Sequence, residues 1–422
     1  MDRQVNPGSG PGWAPKVVFI IRSYGFPEGM AATNRVRLLG RALIEQNADV
    51  SVICMRVSER PGEVRNHSVV GSADGIPFIY TPGSTVRSDS FMMRRWREAR
   101  GYVRALLELR RLKARGSLDC VFLADGGSEK RHLSVYLLLR WLRLLGVPVI
   151  TELNEAPGTH DWLPAPLSRQ LSHLGGVDGA VAISRWLAEW AAGEARRIRR
   201  HVEIVEIPIV VDTREQAVTP YPANGKLFVY SASSQYARDL AFVFRSMRRV
   251  WDRFPEAELM VTGMQPQRVA VVADRENVRH AVNDGRLKIC GYLERPALLT
   301  AYQKAAALVI PLHDDLRSRA RFPTKIGEYL ASGRPVVTSR VGEIERFLRD
   351  GDTAYVAAPG DVDSFAGMMA AVLEDAPRAA SIGAAGRRAA EELFFYARQG
   401  IRLKSLIERV CGATTRPAGL RR

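Results

Sequence analysis

The segment 321–338, RFPTKIGEYLASGRPVVT, carries the residues whose types and spacing best suit chemistry. A short helix is expected to begin after Pro323, where a missing N–H costs nothing, and to end at Gly333, which suits a left-handed residue. The free N–H groups and the dipole of such a helix start favour a phosphate, and Lys325 adds positive charge. One turn further, the carboxylate of Glu328 could accept hydrogen bonds from sugar hydroxyls. An amphipathic helix whose Lys and Glu are merely solvated remains the alternative.

Apolar runs of strand length lie on both sides of this helix. Residues 305–312 read AAALVIPL, and residues 335–338 read PVVT. The pattern of strand, loop, short helix, glycine and strand is a βαβ unit. In such a unit the loop and the helix start lie at the carboxyl ends of the strands, where parallel sheets bind their ligands.

The same segment resembles the nucleotide-sugar segment of retaining GT-B glycosyltransferases, in glycosyltransferase family 4 (glycosyl transferases group 1). The family pattern has two glutamates eight positions apart, followed by a small residue, Gly, x, Pro, Val and Val. Glu328 and residues 331–337 match its second half, whereas Ala320 stands where the first Glu would fall. The core FPTK-x-x-EYLA is similar to a subgroup in which the helix start and its Lys take the place of that first Glu.

The resemblance covers residues 16–410 and implies a fold with two doubly wound, Rossmann-like α/β domains that face a cleft. Each domain is expected to contain a parallel sheet, and the chain is long enough for two cores. We predict these parts: a disordered leader (1–15), an N-terminal acceptor domain (16–220), a C-terminal nucleotide-sugar domain (221–390), a helix crossing back to the first domain (391–412) and a basic tail (413–422).

Polar residues at other predicted strand ends complete the site that the resemblance implies. Asn154 takes the place of an acceptor-facing histidine, with Glu152 and Glu155 beside it, and Gly29 lets the backbone approach donor or acceptor. Arg238 matches the second basic residue of a phosphate-binding loop, and Arg317, Arg319 or Arg321 could replace the missing first one. The catalytic set is then Arg238, Lys325, Asn154 and Glu155, and the donor-binding set is Glu328, Thr324, Gly29, Tyr292, Leu293 and Arg321.

Composition agrees with a globular protein that works inside the cell. The 422 residues are 46% hydrophobic and 25% charged. No apolar run approaches the roughly 20 residues of a membrane span, and the N-terminus lacks the apolar core of a signal peptide. The four cysteines, Cys54, Cys120, Cys290 and Cys411, have no metal spacing and lie in apolar sequence, so we expect buried free thiols in a reducing cytoplasm.

The net charge of +16 suits an anionic donor, an anionic membrane surface or nucleic acid. Nucleic acid is disfavoured because no recognised motif is present and most arginines are dispersed. Segment 88–115 is the most basic and has interleaved aromatic and aliphatic residues. It predicts a helix on the inner face of the cytoplasmic membrane, with contacts from Arg94, Arg95 and Arg97. The alternative is a pair of helices that cover the sheet, with solvated arginines.

The predicted activity is transfer of a hexose-type sugar from a nucleotide diphosphate sugar to a hydroxyl, with retention at the anomeric carbon. No cofactor or metal is expected, and residues 313–315 (His-Asp-Asp) are interpreted as polar groups of a loop. The favoured acceptor is lipid-linked, as in the assembly of cell-surface polysaccharide or glycolipid. Two alternatives stay open: a nucleotide-sugar epimerase or glycoside phosphorylase of the same fold, and a sugar-nucleotide-binding protein without catalysis.

Overall fold

The computed structural model divides the chain into two compact units, Met1–Val210 with Tyr396–Arg422, and Val211–Phe395. The structure describes residues 13–124, 133–156, 172–222, 225–233, 236–266, 269 and 275–414. Most of the predicted leader and tail therefore lies outside the described residues.

The boundaries of the units differ from the predicted domain boundaries. The second unit starts at Val211 rather than at 221, and the N–H of Val211 donates to the carbonyl oxygen of Phe394, near the other end of that unit, at 2.9 Å. The last helix runs Tyr396–Thr414 rather than 391–412, and it belongs to the first unit.

The first unit contains an eight-stranded sheet in the order β3-β4-β2-β1-β5-β6-β7-β8. All neighbours are parallel except the β3–β4 pair at one edge. The edge strand β3 was not predicted, because its sequence VGSA has little apolar character and no residue of it is buried. The strands are β1 (Lys16–Ile21), β2 (Asp49–Cys54), β3 (Val70–Ala73), β4 (Ile76–Tyr80), β5 (Cys120–Leu123), β6 (Val149–Leu153), β7 (Gly179–Ala182) and β8 (Glu203–Glu206).

Helices cover this sheet, as the apolar runs of its strands require. The described ones are α1 (Ala31–Glu45), α2 (Phe91–Ala114), α3 (Leu133–Leu144), α4 (Arg185–Arg197) and the C-terminal helix Tyr396–Thr414. The C-terminal helix packs closely on α1: a Cβ on Gly400 would lie 2.5 Å from the carbonyl oxygen of Ala42. The Lys404 ammonium also donates to the carbonyl oxygen of Gln46 at 2.9 Å.

The second unit contains a six-stranded parallel sheet in the order β11-β10-β9-β12-β13-β14. Its strands are β9 (Leu227–Ser231), β10 (Glu258–Thr262), β11 (Leu287–Gly291), β12 (Ala307–Ile310), β13 (Val336–Ser339) and β14 (Tyr355–Ala357). Its described helices are α5 (Ala237–Arg253), α6 (Arg275–Asn283), α7 (Arg295–Lys304), α8 (Leu316–Ala320), α9 (Thr324–Ala331), α10 (Ile344–Phe347), α11 (Val362–Glu374) and α12 (Ala376–Leu393). Two Rossmann-like parallel-sheet units confirm the predicted fold class.

Candidate functional site

The carboxylate of Glu328 is buried in the second unit between two cations. Helix α9 starts after Pro323 and is followed by Gly333 at φ +72°, which confirms both predicted ends. Nζ of Lys325 lies 2.8 Å from Oε2 of Glu328, and Nη1 of Arg295 lies 2.9 Å from Oε1. Burial alone would raise the pKa of the Glu328 carboxyl, but the two cations outweigh it and lower the pKa to about 2. Glu328 is therefore ionised at neutral pH. The alternative interpretation, in which its carboxylate is merely solvated, is wrong.

Lys325 is held as a cation by the same arrangement. Its ammonium donates to Glu328 and also to the hydroxyl of Tyr302, at 3.2 Å. Burial tends to lower the pKa of Lys325, but the negative charge of Glu328 raises it above its ordinary value. The first turn of α9 therefore has a fixed positive charge, and a fixed negative charge lies one turn further along the helix.

Arg295 and Glu215 belong to this cluster, and sequence reasoning missed both. Arg295 is the first residue of α7, and its Nε also lies 3.2 Å from Oε2 of Glu215, in the 3₁₀ turn Thr213–Glu215. The side-chain amide of Gln216 donates to the backbone carbonyl of Glu328 at 2.9 Å. The only sequence signal for Arg295 is its place shortly after the predicted donor-binding residues Tyr292 and Leu293, and no local spacing connects it to Glu328.

Hydroxyl groups connect α9 to the carboxyl ends of β9 and β10. The N–H of Ser231 donates to the hydroxyl of Tyr329 at 2.9 Å, and the Tyr302 hydroxyl donates to Oγ of Ser231 at 3.2 Å. Oγ of Ser231 lies 2.7 Å from Oγ1 of Thr262, and the rings of Tyr302 and Tyr329 meet edge to face at 5.2 Å. These contacts hold the Lys325–Glu328 turn on the sheet edge where parallel sheets bind ligands.

Arginines gather around Tyr236, where the loops after β9 and β12 meet. The guanidinium of Arg321 stacks 5.0 Å from the Tyr236 ring centroid and donates to its hydroxyl at 3.0 Å, and Arg317 stacks at 5.2 Å. Arg321 is buried, and its Nε has no hydrogen-bond partner within the part of the chain that the structure describes. Arg238 is exposed and lies 3.5 Å from Asp315. The basic residues Arg238, Arg317 and Arg321 are thus brought to one sheet edge.

The three residues 313–315 are engaged by their neighbours. Asp315 accepts from the N–H of Ser318 and caps α8, and Asp314 forms a two-pronged pair with the exposed Arg319. Nε2 of His313 lies 3.2 Å from Oδ1 of Asp239. Among the described residues there is no group of three or more His, Cys, Asp or Glu side chains that could hold a metal. Because Arg319 is exposed and already paired with Asp314, it is the weakest of the three arginines proposed to replace the missing basic residue.

Tyr292 and Leu293 lie in the loop between β11 and Arg295, the first residue of α7. The loop leaves the strand through Gly291, whose φ of +60° favours glycine, and Tyr292 is exposed. Cys290 is also exposed, so the prediction of a buried thiol is wrong there, because β11 is an edge strand. Ala320, in the place of the first family glutamate, is fully buried and supplies no carboxylate at the carboxyl ends of the strands.

The predicted residues Asn154, Glu155 and Gly29 lie in the first unit, whereas Thr324 is the first residue of α9 in the second. Asn154 follows β6, and its Oδ1 is buried without a hydrogen-bond partner among the residues described; Glu155 has partners. Gly29 is exposed in the loop after β1, and a Cβ there would lie 2.0 Å from Oγ1 of Thr33. The close approach of Thr33 gives this glycine a packing role in addition to any contact with a ligand.

Glu152 serves packing, contrary to the expectation for a polar group at this strand end. It forms a buried ion pair with Nε of Arg35 at 2.6 Å. The same guanidinium donates to the carbonyl oxygens of Pro208 at 2.6 Å and Ile207 at 2.9 Å. Arg35 lies in α1, and no sequence pattern indicated that its side chain turns inward.

Comparisons with known proteins agree with this geometry. Residues 225–375, within the second unit, match the family described as Glycosyl transferases group 1. A glycogen synthase of Mycobacterium tuberculosis is 24% identical over 296 residues, which cover 67% of this chain and 68% of that protein. The fold also resembles a sucrose-phosphate synthase from Thermosynechococcus elongatus, with a TM-score of 0.69, 16% identity and coverage of 95% of this chain and 100% of the other.

A second solved structure with this fold is Anabaena Alr3699/HepE in complex with UDP and glucose. Its TM-score is 0.64 at 12% identity, with 93% of this chain and 98% of the other covered. These likenesses show the fold that the chain shares with the solved structures, and the match to glycosyl transferases group 1 is confined to residues 225–375.

Proposed function

We propose that this protein transfers a hexose-type sugar from a nucleotide diphosphate sugar to a hydroxyl, with retention at the anomeric carbon. The observation that carries the proposal is the buried, ionised Glu328 between Lys325 and Arg295, inside the matched glycosyltransferase domain. An ionised carboxylate can only accept hydrogen bonds, which suits the hydroxyls of a ribose. In this proposal Thr324 and the loop residues Tyr292 and Leu293 contact the rest of the nucleoside.

The diphosphate is proposed to bind at the arginines around Tyr236 and at the start of α9. Arg321 supports this role because it is buried and its Nε is unpartnered among the described residues. A guanidinium can bind phosphate oxygens in a forked geometry. As the sugar leaves, negative charge grows on the diphosphate, and Arg238, Lys325 and the N–H groups of α9 stabilise it electrostatically. The proposal needs no protein nucleophile and no metal.

The acceptor is proposed to bind at the first unit through Asn154 and Glu155, whereas Gly29 is proposed to let the backbone approach donor or acceptor. The buried, unpartnered Oδ1 of Asn154 supports this assignment, because such an atom offers an acceptor for a donated hydroxyl proton. A lipid-linked acceptor, in the assembly of cell-surface polysaccharide or glycolipid, would suit attachment to the inner face of the cytoplasmic membrane. The described helices include none that is both long and apolar enough to cross a membrane.

A donor screen tests the proposed reaction. Thermal shifts with UDP-, GDP- and ADP-sugars select the donor, and slow release of free nucleotide from that donor then reports transfer to water. Glu328→Gln should reduce the donor-induced shift, whereas Glu374→Gln, at a surface pair with Arg253, should leave it unchanged. The anomeric configuration of the transferred sugar, read by NMR, checks retention.

A non-catalytic binding protein is the second candidate, and the buried Ala320 favours it, since that place lacks the family glutamate. Binding without any nucleotide release, with or without acceptor extracts, would establish it. If no sugar nucleotide produces a thermal shift, both candidate functions are contradicted.

A further inference from the structure

Helix α2 exposes a row of large apolar side chains. Met92, Trp96, Val103 and Leu107 are exposed by 80%, 54%, 54% and 56%, respectively. Together with the exposed Ala99 they follow one another at intervals of four, three, four and four residues, so they lie on one side of the helix. We call these five residues the exposed stripe.

The exposed stripe is not the side of α2 that packs on the protein. Gly101, Ala105 and Leu109 are the buried residues of the helix and lie on its opposite side. A helix that covers a sheet needs one apolar stripe, and α2 therefore has a second one that no described element covers. Contiguous exposed apolar surface of this kind marks a site of interaction rather than a solvated helix face.

Helix α3 extends this surface along one flank of the stripe. The Tyr102 hydroxyl donates to the carbonyl oxygen of Ser134 at 2.8 Å, and Nε1 of Trp141 donates to the carbonyl oxygen of Leu106 at 3.0 Å. Leu137 lies about one turn from both of these α3 residues and is 48% exposed. The apolar surface therefore spans two neighbouring helices.

The charges around this surface are almost all positive. Helix α2 contains eight Arg or Lys residues and two Glu, and α3 contains Arg140 and Arg143 but no acidic residue. Both glutamates are paired with arginines of the same helix, Glu98 with Arg95 and Glu108 with Arg111. The guanidinium of Arg100 stacks on the Trp96 ring at 5.0 Å. The surface thus offers an apolar centre with a cationic border.

One arginine expected at the membrane, Arg97, is half-buried and contacts the loop before α2. Nη1 of Arg97 lies 3.2 Å from the carbonyl oxygen of Val86 and 3.5 Å from Oγ of Ser84. Arg94 and Arg95 stack on Phe91, at 5.7 and 5.3 Å from the ring centroid. Electrostatic attraction between these three arginines and a membrane would therefore not explain why the exposed stripe of α2 is apolar.

We propose that α2 and α3 form an insertion surface for an anionic lipid bilayer, in which the exposed stripe enters the boundary between headgroups and acyl chains. Helices with this distribution lie in the plane of the interface, with apolar side chains buried and basic side chains at the anionic headgroups. The cationic border selects an anionic bilayer over a neutral protein surface or a second copy, which would bring like charges together. The inference deepens the membrane attachment within the proposed function and does not depend on sugar transfer.

Vesicle flotation with the full chain tests the surface. We expect binding to phosphatidylglycerol-containing vesicles, weak binding to pure phosphatidylcholine, and a residual bound fraction at 1 M salt, where electrostatic attraction is screened within about 3 Å. The triple variant Trp96→Ser, Val103→Ser, Leu107→Ser should bind about tenfold or more weakly and lose the salt-resistant fraction. Ile401→Ser, at a 57% exposed apolar residue of the same unit, should bind like wild type.

Three outcomes would overturn the insertion surface: no binding of the wild type to anionic vesicles at low salt, equal binding of the triple variant, or a concentration-dependent dimer that the triple variant abolishes. Depth of insertion has its own readout, since brominated lipids should quench wild-type fluorescence but quench Trp96→Phe less. Donor-induced thermal shifts without vesicles should be unchanged in the triple variant. If neither the wild type nor the variants bind a donor, but the wild type still binds vesicles, the proposed reaction is contradicted and the insertion surface is supported.

Discussion

Nη1 of Arg295 and Oε1 of Glu328 lie 2.9 Å apart, although the two residues are 33 positions apart in the chain. Arg295 begins the helix after β11, and Glu328 lies in the helix after β12. The pair therefore ties together two loops at the same edge of the second sheet. Because Arg295 also contacts Glu215, it is held in place independently of Glu328 and acts on the proposed ribose contact by positioning it.

Replacing Arg295 by Gln should make nucleotide binding sensitive to pH. With one of its two cations lost, the pKa of Glu328 moves upward, since burial then has less opposition. We expect calorimetric binding of the donor nucleotide by Arg295→Gln to weaken as the pH falls from 7 to 5, while the wild type stays constant. Arg286→Gln, at an exposed pair with Asp284, is the control. Parallel pH profiles for all three proteins would remove Arg295 from the positioning role.

Glu328→Gln should weaken binding of the donor nucleotide by roughly 1.5–3 kcal/mol, the usual worth of hydrogen bonds to a charged group. The amide keeps the size of the side chain but loses the charge that Lys325 and Arg295 neutralise. Affinity is measured by calorimetry at pH 7, beside Glu374→Gln. If the two variants bind equally well, Glu328 does not contact the nucleotide.

The ion pair between Arg35 and Glu152 predicts a cost in stability rather than in donor binding. Removal of one partner of a buried pair leaves an uncompensated charge and typically costs about 3–5 kcal/mol. Glu152→Leu should therefore lower the free energy of unfolding in urea, and the added change Arg35→Met should recover part of the loss. Affinity for the donor nucleotide should stay at the wild-type value in variants that remain folded. A catalytic Glu152 would give the opposite pattern, with normal stability and lost activity.

Activity should survive an excess of EDTA. Asp314 and Asp315 are occupied by Arg319 and by the N–H of Ser318, and His313 lies against Asp239. Nucleotide release is measured with and without chelator, and the apparent rate should be the same. Complete loss in EDTA, restored by Mn²⁺ or Mg²⁺, would assign residues 313–315 to a metal site.

Local patterns predicted a βαβ unit and the helix around Glu328, and the family resemblance implied the two-domain α/β fold. Apolar runs of strand length, Pro323 before the helix and Gly333 after it are signals that lie within a few residues of the feature they specify. The places of Lys325 in the first turn of α9 and of Glu328 one turn further along therefore followed from the sequence.

Partners that are distant in the chain could not be predicted in the same way. Arg295 reaches Glu328 only because the carboxyl ends of β11 and β12 lie at the same side of one sheet, and Glu215 reaches Arg295 from the 3₁₀ turn before β9. A helix start gives no sign of where its first side chain turns. The inward turn of Arg35 and the exposed stripe of α2 likewise depend on which helix side meets the sheet. Helix α2 has apolar residues on two sides, so periodicity alone does not decide which side packs on the sheet.

The pKa of Glu328 predicts how stability changes in acid. The carboxyl pKa falls from 4.5 to about 2 on folding, so the folded state binds protons less readily than the unfolded chain. The resulting stabilisation is fully present above about pH 4.5 and is lost as the pH falls toward 2; a shift of this size corresponds to about 3 kcal/mol. The free energy of unfolding in urea should therefore decrease between pH 4.5 and 2.5 more steeply in the wild type than in Glu328→Gln. Glu374→Gln should keep the wild-type slope, because Glu374 is a surface residue, and equal slopes for all three proteins would mean that Glu328 is not paired in solution.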